Sequence, residues 1–181
     1  QLTATLLDKG VEGMDANAIA MELESLGAQL GAGSARDMAL VTLRSLSDPA
    51  MLEPAIRVFR KVLTEPTFPE KDMERERQRM LVAVQAEQQR PSSIADRAFY
   101  KAVFPDHPYG TPETGTAETL NAIGRDDVAG FYNRYYVAAN AVVALVGDMS
   151  RQQAEAMAER LTAGLARGEP APTVPDVSPL P

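Results

Sequence analysis

The spacing of apolar residues predicts a chain built mainly from helices that are hydrophobic on one face. After Asp15, a candidate N-cap, apolar residues recur every three or four positions up to Gly27, a typical helix stop. A second stripe runs from Leu52 to Leu63 behind an Asp-Pro start. Further helices are predicted over 70–89, from Ser92 or Ser93 to Val103, at Thr116 for one short turn, over 124–136, and after Ser150.

Two segments show strand patterns instead. Over residues 28–46 apolar and polar positions alternate around a polar turn at 35–37, which predicts a β-hairpin. The first strand contains Gly31, Gly33 and Ser34, and such small residues let another backbone come close. The run "NAVVALVGD" (140–148) is continuously apolar and ends in Gly-Asp, so it predicts a buried strand.

These elements predict an α+β fold in which helices pack on one face of an antiparallel-rich sheet. The first helix lacks an N-cap residue ahead of its apolar positions, so we expect a partial domain over residues 1–168 that lacks its first strands. Residues 169–181 contain five prolines, which predicts an extended linker or tail towards a second, homologous domain.

Composition narrows the choice of partners. The formal charge of −7, from 25 acidic and 18 basic residues, argues against nucleic acid or an anionic membrane as the main partner. No apolar run is long enough for a membrane span. The charged segment "EKDMERERQR" (70–79) is interpreted as a solvated helix face with local ion pairs such as Glu74 with Arg77.

Candidate chemistry is sparse. One His and no Cys exclude a two-histidine or thiolate zinc site within this chain, and no cofactor is expected. His107 lies between two prolines in "PDHPYG", so we expect it to pack or cap locally rather than to act as a catalyst. The segment "GAGSARD" has neither the Gly-x-Ser-x-Gly spacing of a nucleophile elbow nor a third glycine for a dinucleotide site.

Three segments in order nevertheless resemble one family. The segments are "LLDKGVEGMDANAIAMELESLGAQLGAGSARDMALVTL", "FPEKDMERERQRMLVAVQAEQQRPSSIADRAFYKAVFPDHPYGTPETGTAETLNAI" and "DDVAGFYNRYYVAANAVVALVGDM". Together they resemble the insulinase/pitrilysin family of zinc peptidases, the inverzincins, which includes the mitochondrial processing peptidase and bacterial two-subunit relatives.

The resemblance implies where a metal site would lie. Active members carry His-x-x-Glu-His on the first helix, where residues four apart share one face. Those positions fall on Gln1, Ala4 and Thr5, and the Glu-Glu pair that supplies the third ligand falls on Val82 and Ala83. None of the five is a good zinc ligand or general base, whereas Leu2, Leu6 and Leu7 keep the packing face.

Three functions follow as hypotheses. The first is a non-catalytic subunit that pairs with an active zinc-bearing homologue in a peptide-processing peptidase. The second is a stand-alone peptide-binding or structural assembly protein that uses the hairpin strand for β-augmentation, with a candidate site at Leu30, Gly31, Ala32, Gly33 and Ser34. The third, an active peptidase, requires ligands from outside this sequence. By resemblance alone, bacterial relatives imply a periplasmic location.

Overall fold

A computed structural model describes residues 1–177, and its helices dominate the fold. The eight α-helices within that range are α1 (Leu2–Leu6), α2 (Ala16–Ser25), α3 (Pro49–Thr64), α4 (Glu70–Glu87), α5 (Pro91–Val103), α6 (Ala117–Ala122), α7 (Arg125–Tyr135) and α8 (Arg151–Thr162). Short 3₁₀ turns lie at Leu7–Lys9, Pro108–Gly110 and Ala138–Asn140.

The strands form two small antiparallel sheets. Strand β1 (Gly10–Val11) pairs with β2 (Met14–Asp15), and β3 (Gln29–Ser34) pairs with β4 (Ala39–Arg44). In the longer hairpin Gln29 lies opposite Arg44 and Ser34 lies opposite Ala39. The predicted hairpin and its turn are therefore confirmed.

The core lies on one face of the β3–β4 hairpin. Leu30, Ala32, Val41 and Leu43 point towards helical side chains, whereas Leu40 on the opposite face is 53% exposed. The main cluster joins α1, α2, α3, α4 and α7, and a smaller one joins Ile56 and Phe59 of α3 to Leu161 of α8. The α+β class, with helices over one face of antiparallel strands, is thus confirmed.

Side-chain caps explain most helix starts. The carboxylate of Asp15 accepts a hydrogen bond from Ala18 N at 2.8 Å, and that of Asp48 accepts one from Ala50 N at 2.8 Å. Thr116 and Ser150 cap α6 and α8 in the same way, as predicted. The predicted start of α5 at Ser92 or Ser93 is wrong, because Pro91 occupies the first helical position, where its missing N–H is harmless.

The predicted buried strand at 140–148 is also wrong. Residues 142–146 belong to no helix or strand, and their backbone forms no hydrogen bond within the part of the chain that the structure describes. Val142 is 94% and Val146 99% exposed, and only Leu145 packs against the smaller cluster. An apolar run becomes a strand only where a neighbouring strand is available, and none of those in residues 1–177 lies beside this one.

The proline-rich tail is described as far as residue 177, and residues 169–177 contain no helix or strand. The rest of the predicted linker, residues 178–181, lies outside the described range. No helix within residues 1–177 combines the length and the apolar character that a membrane span requires.

Candidate functional site

Helix α1 divides into a buried face and an accessible one. Leu2, Leu6 and Leu7 are 4%, 0% and 0% exposed, which confirms the predicted packing face. Gln1 is exposed and Thr5 is half-buried, with the Thr5 hydroxyl donating to the Gln1 carbonyl oxygen at 3.2 Å. Ala4, by contrast, is only 2% exposed. Two of the three first-helix positions are therefore open to solvent.

Helix α4 supplies the other two positions and packs against α1. Val82 is 67% exposed and Ala83 is also exposed. The pair of helices that would hold a metal is thus in contact.

The donors at these five positions do not fit zinc. Zinc sites are built from imidazole, thiolate and carboxylate groups, whereas these positions offer one amide, one hydroxyl and three alkyl groups. Across residues 1–177, no three His, Cys, Asp or Glu side chains gather closely enough to hold a metal ion. No step that needs a bound metal can be assigned to these five side chains.

The charged part of α4 is less solvated than its sequence indicates. The Glu74–Arg77 ion pair is present at 2.9 Å, as predicted. However, Glu76 is only 3% exposed and pairs with Arg79 at 3.1 Å, and Arg77 donates to the carbonyl oxygens of Leu120 and Ile123. The interpretation of 70–79 as a purely solvated face is therefore wrong at two positions, since Glu76 is buried and Arg77 is covered by the end of α6.

The candidate peptide-binding residues form most of β3. Leu30 and Ala32 face the core, whereas Gly31 and Ser34 are exposed. A Cβ added to Gly33 would meet nothing within 4 Å, but one added to Gly31 would lie 2.9 Å from Thr42 Oγ1. Among residues 1–177, β3 has β4 as its one strand partner, so its other edge is unpaired.

A cluster at the β3–β4 turn was not predicted from the sequence. Arg36 donates to the Tyr109 carbonyl oxygen at 2.8 Å, pairs with Glu113 at 3.2 Å and lies over the Tyr100 ring at 4.2 Å. The Tyr109 hydroxyl donates to Asp37 at 2.6 Å, and this hydrogen bond raises the pKa of Tyr109. The partners are more than 60 residues apart in sequence, and local patterns carry no signal for such pairs.

His107 has the local role expected from its sequence context. Its Nδ1 accepts a hydrogen bond from Tyr109 N at 3.1 Å, which caps the 3₁₀ turn at Pro108–Gly110. Its ring stands edge-on to Tyr109, with the centroids 4.5 Å apart. Neither contact makes it a catalytic base.

Two family profiles together match almost the whole chain. Residues 2–117 match "Insulinase (Peptidase family M16)", and residues 122–181 match "Peptidase M16 inactive domain". The fold and the contacting helix pair define the class of zinc-peptidase scaffolds. Within that class, the chain belongs to the insulinase family, peptidase family M16.

Individual relatives agree with this assignment. An uncharacterized zinc protease from Rickettsia bellii is 28% identical over 89% of this chain and 39% of its own length. Cytochrome b-c1 complex subunit 1 from Bos taurus is 26% identical over 94% of this chain and 35% of its own length. The chain therefore spans well under half the length of these relatives.

Solved structures show the same fold. A peptidase M16 inactive domain from Pseudomonas fluorescens is 37% identical, has a TM-score of 0.95, and is matched over 98% of this chain and 43% of that one. A protease from Helicobacter pylori, 18% identical with a TM-score of 0.81 over 98% of this chain and 42% of that one, supports the fold alone.

Proposed function

We propose that this chain is part of a non-catalytic member of the family, which serves as the partner subunit of a zinc-bearing homologue in peptide processing. One observation carries the proposal: α1 and α4 keep their mutual packing while all five metal-motif positions lack donors suited to zinc. A helix pair that is present without its metal ligands fits a subunit that shapes a peptide chamber but does not cleave.

Two comparisons support this role. The match of residues 122–181 is to an inactive-domain profile, and one relative is a subunit of the cytochrome b-c1 complex. In the proposed assembly, the accessible side of α1 and α4 faces the chamber. Its amide, hydroxyl and methyl groups contact peptide without activating water.

The test is co-purification of the full-length protein with candidate zinc-bearing homologues, followed by a peptide-cleavage assay. We expect a stable complex and faster cleavage than by the homologue alone. Failure to form a complex with any of them, together with unchanged cleavage, contradicts the proposal. A homologue whose own zinc glutamate is replaced by Gln is the control, because cleavage in the complex must then disappear.

The domain organisation belongs to the same proposal. Residues 1–168 form the part of the first domain that this sequence contains, and residues 169–181 lead to a second, homologous domain. The lengths of the relatives support this division. Limited proteolysis of the full-length protein is expected to yield a stable fragment that ends after Pro175 and before the second domain.

A second candidate function is peptide binding without any active partner. The unpaired edge of β3 favours it, since an extended peptide can add to such an edge through backbone hydrogen bonds. Gly33→Leu is expected to block that approach and keep the fold, because the space beside Gly33 is open.

Binding of fluorescein-labelled unfolded casein, followed by fluorescence anisotropy, checks this candidate. Gly130→Leu is the matched control, because Gly130 on α7 also has open space around it and lies away from the hairpin. Loss of binding in Gly33→Leu alone supports the β3 site. Equal binding by both variants removes β3 from consideration.

The third candidate, an active peptidase, has support only from the family. It requires metal ligands from sequence beyond these residues. Metal analysis of the purified full-length protein checks it, and stoichiometric zinc retained after dialysis favours it over the non-catalytic role.

A further inference from the structure

The proline-rich segment after α8 follows a defined path across the surface. The carbonyl oxygens of Ala166 and Arg167 accept hydrogen bonds from Ala138 N at 2.8 Å and Ala139 N at 3.0 Å. Further along, the Pro175 carbonyl oxygen lies 2.9 Å from His107 Nε2. These contacts join the segment to two separate loops, at 138–140 and at 107.

The donor and acceptor roles in these hydrogen bonds suit a proline-rich segment. Residues 166–175 include three prolines, which have no N–H, so the segment has more carbonyl acceptors than N–H donors and can use donors from its surroundings. Three of the four contacts meet that need, with donors at Ala138 N, Ala139 N and His107 Nε2. Because His107 Nδ1 accepts from Tyr109 N, its Nε2 carries the proton that the Pro175 carbonyl receives.

In the fourth contact the segment is the hydrogen-bond donor instead of the acceptor. Ala171 N donates to Asn140 Oδ1 at 2.7 Å, while Asn140 Nδ2 donates to the Tyr135 carbonyl oxygen at 3.1 Å. The Asn140 amide is therefore held in one orientation by the end of α7. Its oxygen faces a residue of the segment that is not proline.

Gly168 gives independent evidence that the segment packs closely against the loop at 137–140. Its φ is +59°, and a Cβ added there would lie 2.4 Å from Val137 Cβ, well inside van der Waals contact. Val137 is itself buried at 3% exposure. The backbone of the segment can pass Val137 only because residue 168 has no side chain.

The loop at 104–109, whose His107 contacts Pro175, is itself fixed by aromatic contacts. Phe104 stacks on Tyr100 with centroids 6.1 Å apart and meets the Tyr109 ring edge-on at 5.6 Å. Tyr109 is also held by Arg36 and Asp37 of the hairpin turn. A cavity of about 380 Å³ is lined both by residues 172–175 and by Arg36, Tyr109 and Glu113.

We propose that the loops at 104–109 and 137–140 form a docking surface for the chain's own proline-rich segment, residues 166–175. In this proposal the segment, which we call the strap, is fixed to the surface of the domain and leaves it in one direction. It does not act as a flexible linker. This proposal goes beyond the proposed function, since it concerns the domain's surface and holds whether or not an active partner exists.

The test uses mobility of a spin label on the full chain. The chain contains no cysteine, so Val177→Cys gives a single labelling site just beyond Pro175. We expect a slow nitroxide spectrum in this reference chain. Removal of two contacts, by His107→Ala with Asn140→Ala, is expected to shift most of the signal to a fast component, and Gly168→Ala is expected to do the same by blocking the passage at Val137.

Trypsin gives a second readout, because Arg167 is an exposed cleavage site whose carbonyl oxygen accepts from Ala139 N, so we expect cleavage to need local opening of the strap. Cleavage after Arg167 is expected to speed up by roughly tenfold in the contact variants. Asp106→Ala is the matched control, because Asp106 is an exposed neighbour of His107 with no hydrogen bond to the strap among the described residues. Far-UV circular dichroism verifies the fold of each variant.

Faster label motion and faster cleavage confined to the contact variants support the docking surface. A fast spectrum in the reference chain overturns the proposal. Equal mobility and equal cleavage in the reference chain and all variants overturn it as well.

Discussion

At the scale of single residues, Arg77 shows how a charged side chain can be structural. Its side chain is 12% exposed, and its guanidinium donates to the Leu120 and Ile123 carbonyl oxygens, where α6 ends. Carbonyls at the end of a helix need donors, and Arg77 supplies them from another helix. Arg79, two residues later, has a side chain that is 72% exposed and only pairs with Glu76.

Arg77→Ala is therefore expected to lower the free energy of unfolding by about 2–3 kcal/mol, since it leaves two partly buried carbonyls without a charged donor. Lys71→Ala, the control on the same helix, is expected to change it by less than about 1 kcal/mol, because Lys71 is exposed and, unlike Arg79, does not pair with the buried Glu76. Urea unfolding followed by circular dichroism measures both. Equal effects at the two positions would show that Arg77 does not hold the end of α6.

Two half-buried tyrosines, Tyr132 and Tyr136, predict a dependence of stability on alkaline pH. Burial raises the pKa of Tyr132 to about 12 and that of Tyr136 to about 12, and the Tyr132 hydroxyl donates to the Leu63 carbonyl oxygen at 2.8 Å. The folded pKa lies above the unfolded value near 10, so their contribution to stability is complete below pH 10. It is lost as the pH rises from 10 through 12.

Absorbance titration near 295 nm measures this effect. Among the five tyrosines, we expect two to titrate at about pH 12, and their share of the signal to disappear in the Tyr132→Phe, Tyr136→Phe double variant. A single transition near pH 10 in the folded reference chain would contradict the burial of these two hydroxyls.

At the scale of elements, the sequence predicts helices well because their signals are local. Asp15, Asp48, Thr116 and Ser150 all cap the helices expected of them. The hairpin follows from alternation around a polar turn. The run at 140–148 fails as a strand for a different reason, because periodicity reports the character of a segment and not the presence of a partner.

In the apolar run at 142–146, we expect substitutions at neighbouring positions to differ in their effect on the free energy of unfolding. Replacing Val142 and Val146 with Ser is expected to leave the free energy of unfolding within about 0.5 kcal/mol of the reference, because both side chains lie in solvent. Leu145→Ala, between them, is expected to cost about 1–2 kcal/mol, because Leu145 packs against α3 and α8. Urea unfolding of this chain distinguishes the three positions, and a large loss at Val142 or Val146 contradicts their exposure.

At the scale of the whole molecule, the family resemblance adds what local patterns cannot supply. The contact between α1 and α4 brings together positions about 80 residues apart, which no periodicity predicts. The resemblance to the insulinase family identifies those positions, and the match to the family profile confirms that the chain has the family's fold. The Arg36 cluster and the path of the proline-rich segment had no sequence signal, because each depends on pairs of distant residues.

The most direct test is the zinc content of the chain compared with a variant that restores the donors: Gln1→His, Thr5→His, Val82→Glu and Ala83→Glu. Ala4 is left unchanged because it is buried. After equilibration with zinc and dialysis, we expect almost no zinc in the unsubstituted chain and about one ion per chain in the variant. One tightly held zinc ion in the unsubstituted chain would contradict the loss of the metal site, and no zinc in a folded variant would contradict the retained scaffold.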